Sequence, residues 1–195
     1  MDKKYIASLT GILILIVIFF SVTFYVYPNQ IYQQSNLIPI PTLDVALSSN
    51  EIKHGESFVL DVVSNNIGDI ADIQIVSIAF PELEDISDVV KIRNYDFTQS
   101  PHYVKIGDEI GAKYSGGKET ILAQYPSIEA YSRPVPRGTV NVISIQVTPP
   151  EPGIFDVYVK SIGIPHFTDE SHYPKAGILD HQSELVKVFS VAVKP

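Results

Sequence analysis

Phe58-Val59-Leu60-Asp61-Val62 is the stretch on which the fold turns. Apolar residues at every second position put Phe58, Leu60 and Val62 on one side of an extended chain and Val59 and Asp61 on the other. That is the pattern of a strand with one face in a core. The same period recurs in both directions. Leu43-Asp44-Val45-Ala46-Leu47 precedes it, and Ile143-Ser144-Ile145-Gln146-Val147 and Phe155-Asp156-Val157-Tyr158-Val159-Lys160 follow. In the last of these Phe155, Val157 and Val159 point inward and Tyr158 outward. Val186 to Val193 makes a final strand, and Ile73 to Phe80 is nearly all apolar, as in a strand covered on both faces or one holding a bulge. Asn65-Asn66-Ile67-Gly68-Asp69 and Pro149-Pro150-Glu151-Pro152-Gly153 supply turns between these runs. Proline is spread from Pro81 to Pro174 and breaks most helical windows there. One short helix is compatible with Pro81 to Val90, where Pro81 suits a first turn and Leu83, Ile86 and Val90 share a side. Val89 to Arg93 fits an edge strand equally well. Tyr95 to Arg137 is the least regular region.

The chain also divides by composition. Tyr5 to Tyr27, YIASLTGILILIVIFFSVTFYVY, carries no charge, and fourteen of its residues are Ile, Leu, Val or Phe. About 20 apolar residues cross a hydrocarbon core as a helix. Lys3 and Lys4 precede the run and no Lys or Arg follows before Lys53, so the positive-inside bias predicts a cytoplasmic N-terminus. A cleaved signal peptide has a shorter apolar region and small residues at its cleavage site, where this chain has Phe24-Tyr25-Val26-Tyr27-Pro28. The organisation expected is a cytoplasmic N-terminus (1–4), a transmembrane signal anchor (5–27), an uncharged stalk with three prolines (28–42) and an extracytoplasmic domain (43–195). Localisation follows as a single-pass protein of the cell membrane. The lipid bilayer is the partner of residues 5–27.

Beyond residue 27 there are 12 basic and 21 acidic residues, because Lys3 and Lys4 of the 14 and Asp2 of the 22 lie before it. Such a surface repels phosphate backbones and argues against nucleic acid as a partner. Cysteine is absent, which excludes a disulfide framework and thiolate metal sites. The domain is held by its core, for which about 150 residues suffice.

Two stretches resemble CARDB, an immunoglobulin-like module of archaeal and bacterial surface proteins. HGESFVLDVVSNNIGDIADIQI (His54 to Ile75) has Gly-Glu-x-Phe, an alternating strand, Asn66-Ile67-Gly68 and a second strand. VPRGTVNVISIQVTPPEPGIFDVYVKS (Val135 to Ser161) has Pro-x-Gly, a strand, a Pro-rich turn and Gly-x-Phe before the next strand. The resemblance covers roughly half of the external chain. It implies an all-β, immunoglobulin-like sandwich of about seven strands, used for adhesion or protein contact, with no catalytic residues. The long middle segment and Pro165 to Ser183 depart from the family pattern as insertions.

Chemistry-bearing motifs are few. Ser115-Gly116-Gly117-Lys118-Glu119 has Glu119 where a phosphate loop needs Ser or Thr, and Ala112 where it needs glycine. Glu82, Glu84, Asp85 and Asp88 lack the glycine-bearing loop of a calcium site. His166, Asp169, Glu170, His172, Asp180 and His181 form the one set with the donor types for zinc or copper. A solvated polar loop explains those residues as well. The expectation is therefore a non-enzymatic anchored domain that meets an envelope or membrane protein, with no catalytic, cofactor or metal residues assigned. The alternatives are an accessory subunit of a membrane complex, whose helix offers Ala7 and Gly11 as a small-xxx-small pair, and a metal-binding domain using the 166–181 loop.

Overall fold

The computed structural model describes residues 3–26, 37–110, 121–165, 171–174, 176–179 and 184–195. The chain separates into two units, Met1–Leu37 and Ile38–Pro195. In the first, the apolar run forms helix α1 (Lys3–Ser21), continued by a π-helical turn over Val22–Val26. Every described side chain from Thr10 to Tyr25 is exposed. Among the described residues no helix is long and apolar enough to cross a membrane. The expected crossing segment is thus present as a helix, and no more than that.

In the second unit the alternating runs become strands. In chain order these are β1 (Pro41–Leu47), β2 (Glu51–Lys53), β3 (Phe58–Asn66), β4 (Ile73–Ala79), β5 (Val90–Tyr95), β6 (His102–Val104) and β7 (Glu109–Ile110). They continue with β8 (Ile121–Leu122), β9 (Ser127–Ser132), β10 (Val140–Val147), β11 (Gly153–Ile164), β12 (Ile178–Leu179) and β13 (Leu185–Lys194). One sheet has the order β1-β3-β10-β5, and the other β12-β13-β11-β4-β9-β6 with β2 alongside β13; β7 and β8 form a separate hairpin. The β2–β13 pairing is parallel, and every other pairing between these strands is antiparallel.

The inner faces of the two large sheets meet in one core. Phe58, Leu60 and Val62 of β3 and Ile143, Ile145 and Val147 of β10 are fully buried, facing Val76, Ile78, Val157 and Val159. Phe155 lies between Phe58 and Phe80, with ring centroids 6.1 and 6.2 Å away. At the opposite end of the sandwich the core is polar. The buried Ser64 and Ser161 hydroxyls lie 2.9 Å apart across the sheets, and Gln74 Nε2 donates to both, at 2.6 and 3.3 Å. The fold is an all-β sandwich with eight strands of six or more residues among the described residues, beside the about seven, with insertions, that the resemblance implies.

Three further differences from the sequence reading have physical causes. Pro81 to Val89 is a chain of turns rather than a helix, with Leu83 N donating to Phe80 O and Val90 N to Ile86 O. Leu83, Ile86 and Val90 are all buried, and Val90 pairs with Val147 as an edge strand. Tertiary pairing on the free edge of β10 outweighs local propensity. The compact unit begins at Ile38 rather than Leu43: Ile67 N donates to Ile40 O and Asp69 N to Ile38 O, each at 3.0 Å, extending the β1–β3 ladder. A side chain at Gly68 would fall 2.4 Å from Ile38 O and Ile40 N, so only glycine lets this segment dock. Finally, the irregular region from Tyr95 to Arg137 contributes four strands, of which β9 lies within the larger sheet between β4 and the edge strand β6.

Candidate functional site

The outer face of the larger sheet carries a row of polar groups. Antiparallel register aligns Lys160 of β11 with Ser77 of β4, Ser77 with Glu129 of β9, and Glu129 with His102 of β6. Directly opposed residues in such pairs share a face, so the four make one row across the sheet. Alternation places their neighbours Val76, Ile128 and Val159 in the core. Tyr158, Ala79, Ser127 and Val104 form the next row.

The small residues Ser77, Ala79 and Ser127 leave a recess between the long side chains. It encloses about 520 Å³ of empty space, open solvent included, bounded by Tyr125, Tyr158, Gln124, Glu129 and Lys160. The two tyrosine rings meet edge to face with centroids 6.3 Å apart. Lys160 pairs with Glu184, which also accepts a 2.9 Å bond from the Tyr173 hydroxyl. Glu129 is buried, with His102 Nε2 at 3.7 Å from its Oε2. The order across the sheet is serine, glutamate, histidine. Nucleophilic catalysis needs the histidine between the other two, so this row does not assemble a triad. It offers both signs of charge and two amphipathic rings, which suits binding.

The residues singled out in the sequence fall elsewhere. Asp85 Oδ1 accepts bonds from Ser87 N and Oγ at 2.9 and 2.7 Å, which lowers its pKa. Burial raises the carboxyl of Glu82 above the usual range, with repulsion from Asp156 adding to it, and its Oε2 accepts from Asp156 N at 3.3 Å. Asp85 therefore serves a local turn and Glu82 a tie to β11, and among the described residues no three His, Cys, Asp or Glu side chains gather as metal ligands. His166, Asp169, Glu170, Asp180 and His181 lie outside the described residues, as does Ser115 to Glu119. His172 is described: its backbone exchanges two 2.9 Å bonds with Gly163, and its Nε2 is buried without a hydrogen-bond partner among the described residues. Sequence reasoning missed the row because Glu129 sits in β9. Ser127-Ile128-Glu129-Ala130-Tyr131-Ser132 does alternate, but between small residues that mute the signal.

No family model matches the chain, and neither does any curated protein. Solved structures do. The chain is similar to solved CARDB domains. That of the PF1109 protein from Pyrococcus furiosus, in complex with di-metal ions, is 11% identical over 80% of this chain and 94% of that one, with a TM-score of 0.39. AvmM, which catalyzes macrocyclization in alchivemycin A biosynthesis, is 10% identical over 82% of this chain and 89% of its own, with a TM-score of 0.45. A β-glucosidase from Listeria innocua is 17% identical over 80% of this chain but only 16% of its own, with a TM-score of 0.37. Likenesses at these levels carry no argument about activity, ligands or partners. The fold of this chain stands on its own sheets and register.

Proposed function

We propose that this protein is a membrane-anchored, extracytoplasmic immunoglobulin-like domain without catalytic activity, which contacts another protein of the envelope or membrane. The observation that carries the reading is the helix Lys3–Ser21 and its extension to Val26, along which each described side chain from Thr10 to Tyr25 is exposed. Sixteen consecutive residues of this kind in water carry a large hydrophobic cost, which a bilayer removes. Lys3 and Lys4 at one end orient such a helix with the sandwich outside. The contact surface in this reading is the recess beside Tyr125 and Tyr158, because tyrosine in a partly desolvated recess ringed by charge is characteristic of interaction hot spots. The test is covalent capture in intact membranes from a photo-crosslinker at Gln124. One discrete adduct, lost in Tyr158→Ala and retained in Asp44→Ala on the opposite sheet, supports the contact. Adducts that do not change with Tyr158→Ala count against it.

The buried Nε2 of His172 favours metal binding as a second reading. Ordering loop residues around an ion costs about 1–2 kcal/mol each in backbone entropy. The anticipated result is no stabilisation of the purified protein by zinc or copper. Saturating metal would instead add about 2.7 kcal/mol at 100 times the dissociation constant, and a gain of that size abolished by His172→Ala would make metal binding the leading function.

A further inference from the structure

We infer that the end of the domain at which the chain joins it is a lipid-facing surface, seated in the head-group region of the bilayer. This rests on the reading that the N-terminal helix spans a membrane.

An exposed apolar group gathers where the chain joins the four-stranded sheet, just beyond the last paired outward row of Thr42, Asn65 and Val140. Val140 is 51% exposed at the start of β10. Beyond the last paired residues of β1 and β3, the continuing ladder sets Ile40 opposite Ile67 and Ile38 opposite Asp69. Ile38, Ile67 and Ile70 are 55%, 47% and 42% exposed. They are fixed there, since Ile38 N donates to Asp69 Oδ2 at 3.1 Å and the Gly68 turn is packed against Ile38 and Ile40.

The neighbouring 133–138 loop is joined to this turn by the Ala71–Val135 bridge and by Gly138 N donating to Asn66 O at 2.6 Å. Its exposed charges are Arg133 and Arg137. Of the nearby carboxylates, Asp69 is exposed and accepts from the Ile38 amide, and Asp72 is half-buried. An acidic protein thus presents isoleucine and arginine together at one place. Apolar side chains that enter the head-group boundary, flanked by guanidinium groups for lipid phosphates, are what an interfacial surface requires.

Chain connectivity argues for the bilayer as the occupant: in the membrane reading only residues 27–37, which span at most about 36–40 Å, separate the helical segment from Ile38, whereas the Pro149–Gly153 turn lies at the other end of β10 and β11.

The chain has no cysteine, so single-cysteine variants label cleanly. Full-length Ile67→Cys, Ile70→Cys and Glu151→Cys are each reconstituted into vesicles of phosphatidylcholine with a minority of phosphatidylglycerol and labelled with one fluorophore. Quenching by head-group nitroxide lipids is expected to be severalfold greater at 67 or 70 than at 151, with matching protection from iodide. Equal lipid quenching at all three positions overturns the inference. Protection from iodide without lipid quenching also overturns it, since a protein then covers the patch. In both cases the chain still resists alkaline carbonate extraction, which keeps the membrane reading intact. Loss of the chain in that wash overturns the membrane reading itself, and this inference with it.

Discussion

Phe155 and Tyr158 sit three positions apart on β11 and face opposite sides of the larger sheet. The Phe155 ring is buried between Phe58 and Phe80, whereas Tyr158 borders the open recess. Removing a buried aromatic ring forfeits its transfer free energy and leaves a cavity. Phe155→Ala is therefore expected to cost about 3–5 kcal/mol in urea unfolding. Tyr158→Ala, which removes only a partly exposed ring and its edge contact with Tyr125, is expected to cost well under half of that. Equal losses would mean that the face assignment of β11 is wrong. This distinction was legible in the sequence, because period two says which side of a strand a residue faces. What lies over the outer side was not legible. Nothing local to Tyr158 announces that Tyr125, more than thirty residues earlier, meets it.

At the level of elements, local pattern identified the strands whose one face is strongly apolar and failed where tertiary pairing decides. β3, β10 and β11 alternate cleanly because their inner faces fill the core. β4 is buried on both faces, as its near-continuous apolar run implied. β9 was missed because its outward Ser127 and Glu129 and its inward Ala130 and Ser132 give little hydrophobic contrast. The turns at Pro81–Val89 were ambiguous because apolar side chains at helical spacing fill a core equally well from a coiled path. The junction between sheets adds a cost invisible to pattern: Ser64, Gln74 and Ser161 are buried where period two expects apolar residues. Gln74 Nε2 serves both hydroxyls, so Gln74→Ala removes the donor shared by the two sheets. Its expected cost is about 1–3 kcal/mol. Ser161→Ala leaves Ser64 still bonded to Gln74 and is expected to cost less. Chemical denaturation of both variants measures this, and the reverse ranking would show that the serine pair, not the glutamine, couples the sheets.

For the whole molecule, the consequential question in the proposed membrane reading is which way the chain is threaded. In that reading insertion of the apolar segment is favoured by several kcal/mol, at about −0.3 to −0.6 kcal/mol for each Ile, Leu, Val or Phe near its centre. Orientation is a separate matter, decided by the flanks. Lys3 and Lys4 stand before the segment, and the 25 residues after Tyr27 hold no Lys or Arg, with Lys53 the first. The acidic residues of the domain contribute little to this bias, which counts basic residues near the helix ends. The domain has no cysteine to oxidise and no Asn-x-Ser/Thr acceptor, so neither chemistry marks its compartment, and the lysine asymmetry alone supports the orientation. Protease added to intact cells is expected to digest the sandwich or its connection to the helix, leaving a fragment of the N-terminal segment in the membrane. Moving the charge should move the domain: Lys3→Glu with Lys4→Glu, combined with two lysines placed after Pro28, is expected to raise the protease-protected fraction. Protection of the unaltered protein in intact cells, with digestion only after lysis, would place the sandwich in the cytoplasm. It would also remove the envelope partner from the proposed function while leaving the fold untouched.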